Sequence, residues 1–509
     1  MPLSSLKIVA LTIALAICSY LYLQKRQQRK VEQAFAIERG CRPVLPRVPY
    51  KWPFALDLLK IQFQAYFSGH SLEALTPYIT IAGTIRLELW GVTGYITTDP
   101  ENIEAVLSTH FEDYIMGTRT LALFPFLREG IFTQDGHPWK RSREIIRRQF
   151  VRVHKQSPQI LSSHVNDLLS SIQRADGFEI VDLKPYFFDY TLGTTTKLLF
   201  GESLDTLSNE ERDTFRDAFD YASWCCGIRI RLADLAVLYN PPKFRNACKL
   251  VSDWAGHFSD KALKYRDQFG EEKAYEKYAF IIDLWKEMGD PVLVKDQLLH
   301  ILIAGRDSTA CLLSWTLFHL VRNRDVLEQL RKELSSVPVN VELTREQITK
   351  LTFLRCCLNE TLRLYPQLPL NLRYTNKATV LPRGGGPDGQ SPILIPKGSG
   401  IGWSTYHLHR NEAIYGSDAR IYRPQRWESG ELIKKAGLGA GFVDFNGGPR
   451  TCLGKDFALM EASYAIIRVL QAFPGIRLPP GSPNEPVGAE KQSLSMLVAP
   501  QNGVDVLLS

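Results

Sequence analysis

Phe445-Asn446-Gly447-Gly448-Pro449-Arg450-Thr451-Cys452-Leu453-Gly454 is a glycine-rich turn that presents one cysteine. A periodic pattern follows at once: Phe457, Leu459, Met460, Ala465, Ile466, Ile467, Val469 and Leu470. That spacing predicts a helix. Gly447, Gly448 and Gly454 permit turns and close backbone approach that a side chain would block. Cys452 then falls just before a helix N-terminus, where unpaired amides and the helix dipole favour a thiolate. A thiolate held this way can be the proximal ligand of a haem iron, pushing electron density onto the metal and promoting O–O cleavage. Taken alone, the cysteine reads first as a buried, inert thiol.

The ten residues together resemble the haem-binding loop of the cytochrome P450 superfamily, which has Phe, two Gly, an Arg, the Cys and a final Gly at these spacings. The resemblance implies a mainly α catalytic domain with smaller β-sheets. It also implies haem b ligated by Cys452, with Phe445 in the binding loop and Arg450 pairing a propionate.

Upstream, Gln297 to Leu320 is the longest central helical pattern and is apolar nearly all round, so it should be buried. Gly305-Arg306-Asp307-Ser308-Thr309 interrupts it. In a structural helix such polar residues are a cost, offset by local hydroxyl bonding that also bends helices. The family pattern Ala/Gly-Gly-x-Asp/Glu-Thr-Thr is met at Ala304, Gly305, Asp307 and Thr309, with Ser308 replacing the first threonine. The resemblance implies a widened helix over the oxygen site, with Asp307 and Thr309 delivering protons.

Glu360 and Arg363 lie three apart on the helix expected over 353–365. As a surface pair they would contribute a few tenths of a kcal/mol. The resemblance makes them, with Arg426, a scaffold network bracing the cysteine loop. It also places Trp139, Arg143 and Arg373 on the haem propionates. Trp139 and Arg143 are four apart on one expected helical face. His407 and His409 flank Leu408, an alternation expected of strand or packing. Pro382 to Gly389 reads as a flexible surface loop.

The pocket positions implied by the resemblance are Phe124, Phe126 and Leu127, then Trp224, Gly305, Leu368, Leu370, Leu494 and Met496. Each apolar one, taken singly, reads first as plain core. Two further stretches, Arg229-Ile230-Arg231-Leu232-Ala233-Asp234-Leu235 and Leu238-Tyr239-Asn240-Pro241, resemble the alkane and fatty-acid hydroxylase branch of fungal P450s. That branch implies ω-hydroxylation of n-alkanes or of medium- and long-chain fatty acids. A tailoring oxidase of a secondary-metabolite pathway is the alternative, and a haem carrier or sensor is the non-enzyme reading. The Asp307–Thr309 pair argues against a carrier, which needs no proton delivery.

At the N-terminus, Ile8 to Leu23 is uncharged and mostly apolar, about the length that crosses a bilayer. Gln24-Lys25-Arg26-Gln27-Gln28-Arg29-Lys30 follows it, with no small-residue cleavage box. Charge behind the span favours a cytosolic C-terminal side. The expected division is a membrane signal anchor over 1–24, a basic and proline-rich linker over 25–53, and the catalytic domain over 54–509. In strand regions, 85–90 and 94–98 alternate, and Asp99-Pro100 opens a short helix.

The 509 residues can bury a large core, and nine cysteines show no ligand spacing. A net charge of +7 fits a basic surface near an anionic membrane. No zinc finger, RNP-type run or long basic helix argues for nucleic acid. No Rossmann or flavin signature is present, so electrons must come from a separate protein. The family implies an NADPH–cytochrome P450 reductase, with cytochrome b5 as a second donor, at the endoplasmic reticulum membrane. Arg141, Arg147, Arg148 and Lys455 would steer the reductase.

Overall fold

The computed structural model describes residues 3–44, 46–89, 92–174, 180–203, 208–339, 341–432, 441–484 and 486–508. The helix Pro291–Arg322 is its axis. Asp290 starts it, its carboxylate accepting from the Val292 and Leu293 amides, and Pro291 needs no partner at the first position. Leu298, Leu302, Leu313, Trp315 and Leu317 are completely buried. Burial of each aliphatic side chain here is favourable by about 1.5–3 kcal/mol.

Around this axis pack the helices Lys184–Phe200, Pro242–Phe269, Thr352–Leu364 and Lys455–Ala472. Contact is closest at Gly305, where an added Cβ would lie 2.8 Å from the Thr195 Oγ1. Glycine is what lets the two helices meet there. The expected interruption at Gly305–Thr309 is not seen, because the chain stays α-helical throughout. Ser308 donates its hydroxyl to the Ala304 carbonyl at 2.6 Å, an internal partner that offsets the polar side chain without breaking the helix.

Five strands form the largest sheet, in the order Thr84–Leu89, Val92–Thr97, Gly400–Ser404, Leu370–Thr375, Tyr114–Ile115. Trp90, expected to end the first strand, lies outside the described residues. Antiparallel pairing of Leu370–Thr375 with Gly400–Ser404 sets Leu370 opposite Ser404 and Arg373 opposite Ile401. Alternation along that strand puts Asn371 and Arg373 on one face and Leu370 and Leu372 on the other. The hairpin Gln492–Leu494 with Val498–Pro500 closes over the central helix. Trp315 holds it, donating its indole N–H to the Val498 carbonyl at 3.0 Å.

Two expectations change. Pro382 to Gly385 continue the strand Thr379–Gly385, because Asn102 bonds both the Arg383 carbonyl and its amide; the loop shrinks to a short turn. His407, expected in strand or packing, sits in the helical turn Thr405–Leu408. The basic segment 24–30 is helical as well: one helix runs Leu3–Glu38, built of good helix formers, and the extended proline stretch begins only after Gly40, at φ 65°. Leu11, Ile13, Leu15, Ile17, Leu21 and Leu23 are exposed on that helix. Among the described residues, no helix is long and apolar enough to cross a membrane.

Candidate active site

The cysteine loop faces the central helix across a cavity of about 290 Å³. Asn446 and Gly448 both take left-handed backbone, φ 62° and 61°. At Gly448 a Cβ would stand 1.8 Å from the Leu107 carbonyl oxygen, so only glycine fits. Gly447 and Gly454 have negative φ, which narrows the conformational requirement to Gly448. The Cys452 amide donates to the Phe445 carbonyl at 2.9 Å and closes the loop.

Cys452 is an exposed residue whose surroundings are nonetheless protein, since the surface it exposes is the cavity wall. Burial pushes its thiol above the ordinary range, against the opposing pull of the Gly454 amide, Arg143 and Lys455. Burial therefore outweighs the helix terminus that the sequence emphasised. A metal cation at the sulfur would deprotonate it outright.

Trp139, Arg143, Arg373, Phe445 and Arg450 all line the same cavity. Arg450 lies 4.3 Å over the Trp139 ring, pairs with Asp135 at 2.8 Å and donates to the Gln134 carbonyl at 3.0 Å. Arg143 donates to the Thr451 carbonyl at 2.6 Å. Arg373 is 4% exposed; its guanidinium donates to the Asn371 side chain and the Leu372 carbonyl, each about 3 Å away, and lies over the Trp403 ring. Burial and the nearby Arg119 and Arg450 push its guanidinium well below the ordinary range. Trp139 is buried at the cavity wall, its ring between Phe111 and the Arg450 guanidinium. A thiol, an indole donor and under-partnered guanidiniums around apolar walls fit a flat, iron-bearing macrocycle with two carboxylates, which is haem b.

On the facing wall, Asp307 and Thr309 line the cavity. Burial raises the Asp307 carboxyl to about 6, while Arg306 pulls it down from 3.1 Å away. Arg306, 1% exposed, also pairs with Asp220, which reaches solvent. Thr309 is 1% exposed. Beside it, from the helix Lys455–Ala472, lies Glu461, completely buried, bonded by Thr194 and pushed up to about 8 by burial.

Glu360 is completely buried and bonds Arg363 at 2.8 Å, Arg426 at 2.9 Å and the Trp427 indole at 2.9 Å. Arg363 also reaches the His409 carbonyl at 2.8 Å, and the His409 ring accepts the Val443 amide at 3.0 Å. The network thus connects to the chain just before the cysteine loop. His407 bonds Thr76 and Ser404; both histidines are held neutral, at about 3, chiefly by burial, and neither lines the cavity.

Of the expected pocket positions, Leu127, Gly305, Leu368 and Met496 line the wall. Phe124, Phe126, Trp224, Leu370 and Leu494 do not, for identifiable reasons. On the helix Thr118–Leu127, Leu123 and Leu127 face inward, so Phe124 is on the outer face and 38% exposed. Phe126 packs edge-on to Phe219 at 5.5 Å, and Trp224 stacks on Tyr221 at 5.9 Å. Leu370 loses its place to Asn371 and Arg373 by strand alternation, and Leu494 is buried in the hairpin.

Four residues at the site escaped sequence reading. Arg306 is the unspecified position of the motif at 304–309. Arg119 and Asn371 carried no signal of their own. Glu461 did carry one: it falls four residues after Phe457 and four before Ala465, in phase with the buried stripe.

The haem-thiolate architecture these residues outline is matched by comparison with known proteins, since the chain belongs to the cytochrome P450 family, which covers residues 46–506. It is 39% identical to a cytochrome P450 of Arthroderma benhamiae over 97% of both chains. It is also 39% identical to cytochrome P450 52A13 of Debaryomyces hansenii, over 90% of each. Cytochrome P450 52A5 of Candida maltosa is 41% identical over 78% of each. The protein is a haem-thiolate monooxygenase of apolar substrates, with haem b as cofactor and electrons from NADPH through a reductase.

Proposed function

We propose that the chain hydroxylates the terminal carbon of n-alkanes or of medium- and long-chain fatty acids. The observation that carries this reading is the cavity: apolar Leu123, Leu127, Ile301, Leu312, Leu368 and Met496 surround the space between Cys452 and Thr309. Such walls hold a flexible chain without polar demands. Terminal C–H bonds are stronger than internal ones, so selectivity for the chain end comes from positioning.

Haem b supplies the oxygen chemistry when bound. Cys452 holds its iron, Phe445 shapes the loop around that sulfur, and Trp139, Arg143, Arg373 and Arg450 hold its carboxylates. Thr309 presents a hydroxyl at the cavity wall and Asp307, through Arg306 and Asp220, links that wall to solvent. Glu461, protonated at neutral pH, is a second proton source beside Thr309. Glu360, Arg363 and Arg426 keep the loop in place and take no part in the chemistry. Residues 1–24 anchor the chain in the endoplasmic reticulum membrane as a single pass, 25–53 join it to a cytosolic domain over 54–509, and the apolar run Ile8 to Leu23 with the charges behind it supports that topology.

The test is turnover of dodecanoic and hexadecanoic acids and the matching alkanes by enzyme reconstituted with the reductase, with products identified. Terminal alcohols are expected. No oxidised product from any of them, alongside turnover of a polyketide or terpenoid intermediate, would make the chain a tailoring oxidase instead.

A further inference from the structure

We infer that Arg231 is a positioning residue for this reaction: it fixes the turn Ser495-Met496-Leu497 and, through Met496, decides which carbon of a substrate chain is presented for oxidation. The inference deepens the hydroxylase reading above and rests on it. Met496 and Leu497 line the cavity at the tip of the hairpin Gln492–Leu494 with Val498–Pro500. One strand of that hairpin is tied to the middle of the molecule. The Val498 carbonyl accepts from Trp315 at 3.0 Å, and its amide donates to the Gln367 carbonyl at 3.4 Å. The other strand is tied to the helix Asn209–Leu232. Arg231 donates to the Leu494 carbonyl at 2.6 Å and to the Ser495 carbonyl at 3.3 Å. It also holds the Gly227 carbonyl, one turn back on its own helix, at 2.7 Å. Its guanidinium lies 4.3 Å from the centre of the Tyr66 ring, on the helix Leu56–Ser68.

The chemistry suits arginine in particular. A guanidinium carries five donors in a fixed plane, so one side chain can hold three carbonyls at once. Hydrogen bonds from a charged donor are stronger than neutral ones, and an aromatic face stabilises the charge. Gly227 brings the helix close enough for this: a Cβ there would stand 2.7 Å from the Ser495 carbonyl oxygen. Glycine is a poor helix former, and its place inside this helix is explained by that approach. Arg229, two residues earlier, points about 200° away around the helix. It holds the Leu121 and Ala122 carbonyls instead. The two arginines thus clamp one helix between the helix Thr118–Leu127 and the hairpin.

Met496 is unbranched and flexible, so its own shape does not fix where it reaches. The backbone of the turn does, and that backbone hangs between Trp315 on one side and Arg231 on the other. Apolar walls hold a chain by shape alone, and a misplacement of about 1 Å can cost about 100-fold in rate at the reacting atom. Releasing the Arg231 side of the turn therefore moves Met496 and changes the carbon that is presented.

The test compares haem-loaded wild type, Arg231→Gln, Arg231→Lys, Met496→Ala and the double variant Arg231→Gln with Met496→Ala. Two quantities are read: the ratio of terminal to penultimate alcohol formed from dodecanoic acid, and the dissociation constant of phenylimidazole from its type-II spectral shift. Arg231→Gln should lower the ratio by about threefold to tenfold and change azole binding by about threefold. Arg231→Lys should restore part of both. In the Met496→Ala background, Arg231→Gln should change neither further, because the two residues act as one unit. A weakened fold lowers the amount of holoenzyme but leaves the ratio per turnover alone. Should Arg231→Gln fail to load haem, Gly227→Ala takes its place: it favours the helix and presses on Ser495 with Arg231 intact, and should shift the ratio equally. An unchanged ratio would overturn the inference, as would a full further change in the Met496→Ala background. Failure of the hydroxylase reading looks different: the wild type then gives neither alcohol, and the azole constants decide by the same comparison.

Discussion

Thr309 presents a hydroxyl to the cavity between two acids set apart by their surroundings. Asp307, at about 6, is held by Arg306, whereas burial holds Glu461 at about 8 against the hydroxyls of Thr194 and Thr309. Thr309→Ala should keep haem and substrate binding but divert reducing equivalents to peroxide, lowering product per NADPH by up to about 100-fold. Unchanged coupling would remove Thr309 from proton delivery. Glu461 titrates ordinarily at 4.5 and here near 8, so the native state retains a proton that the unfolded chain releases across that window. Its contribution to stability is full below the lower value and is lost as pH rises through the upper one. Glu461→Gln keeps the shape and cannot ionise. Its thermal midpoint should therefore fall less than that of the wild type as pH rises from about 5 to about 8; parallel profiles would contradict the assignment. Cys452 was legible because ten residues spell its loop. Glu461 was not, because one acid inside an apolar period reads as tolerance of the pattern until its burial is seen.

At the scale of elements, strand alternation and helical phase decide which residues reach the cavity. The sequence showed Leu368, Leu370 and Arg373 near one another, but Leu370 and Arg373 differ by an odd number and a strand cannot turn both inward. The helix Thr118–Leu127 makes the same choice between Leu123 and Phe124. Neither phase can be read without knowing where the cavity lies. Glu360 braces the loop by tying two helical segments together through Arg363, Arg426 and Trp427. Glu360→Ala leaves Arg363 and Arg426 buried without their carboxylate and should cost about 3–5 kcal/mol, read as a fall in the thermal midpoint and in haem incorporation. A variant with wild-type stability would make the network dispensable. Arg229 is a comparable tie, between the helices Asn209–Leu232 and Thr118–Leu127. It is 2% exposed and donates to the Ala122 and Leu121 carbonyls, each at 2.9 Å, which explains why that arginine-bearing stretch is distinctive.

For the whole molecule, the sequence indicated a buried central helix and a mainly α domain, and the structure places the helix at the centre of four others. What it withheld was how far each segment extends, as in the unbroken helix Leu3–Glu38 and the unbroken turn at Gly305–Thr309. Good helix formers continue a helix past the point where hydrophobicity changes. Electron supply belongs to this scale as well. Arg141, Arg147 and Arg148 are exposed on the helix Gly136–Arg174, with Arg148 paired to Glu287 at 3.1 Å and Arg141 bonded to the Glu287 carbonyl at 3.0 Å. Lys455 is half-buried over the Phe445 ring, so it contributes less to steering than the sequence implied. Raising ionic strength should slow haem reduction by the reductase, since exposed charge is screened. A rate independent of salt would remove this face from partner docking.

One sulfur, that of Cys452, closes the cavity opposite Thr309. The most direct measurement is the carbon monoxide difference spectrum of the reduced protein, taken on wild type and on Cys452→Ser. The wild type should show the long-wavelength Soret band of thiolate ligation, and the serine variant should lose it. A wild-type band of the histidine-ligated kind, or a thiolate band that survives in Cys452→Ser, would contradict the account.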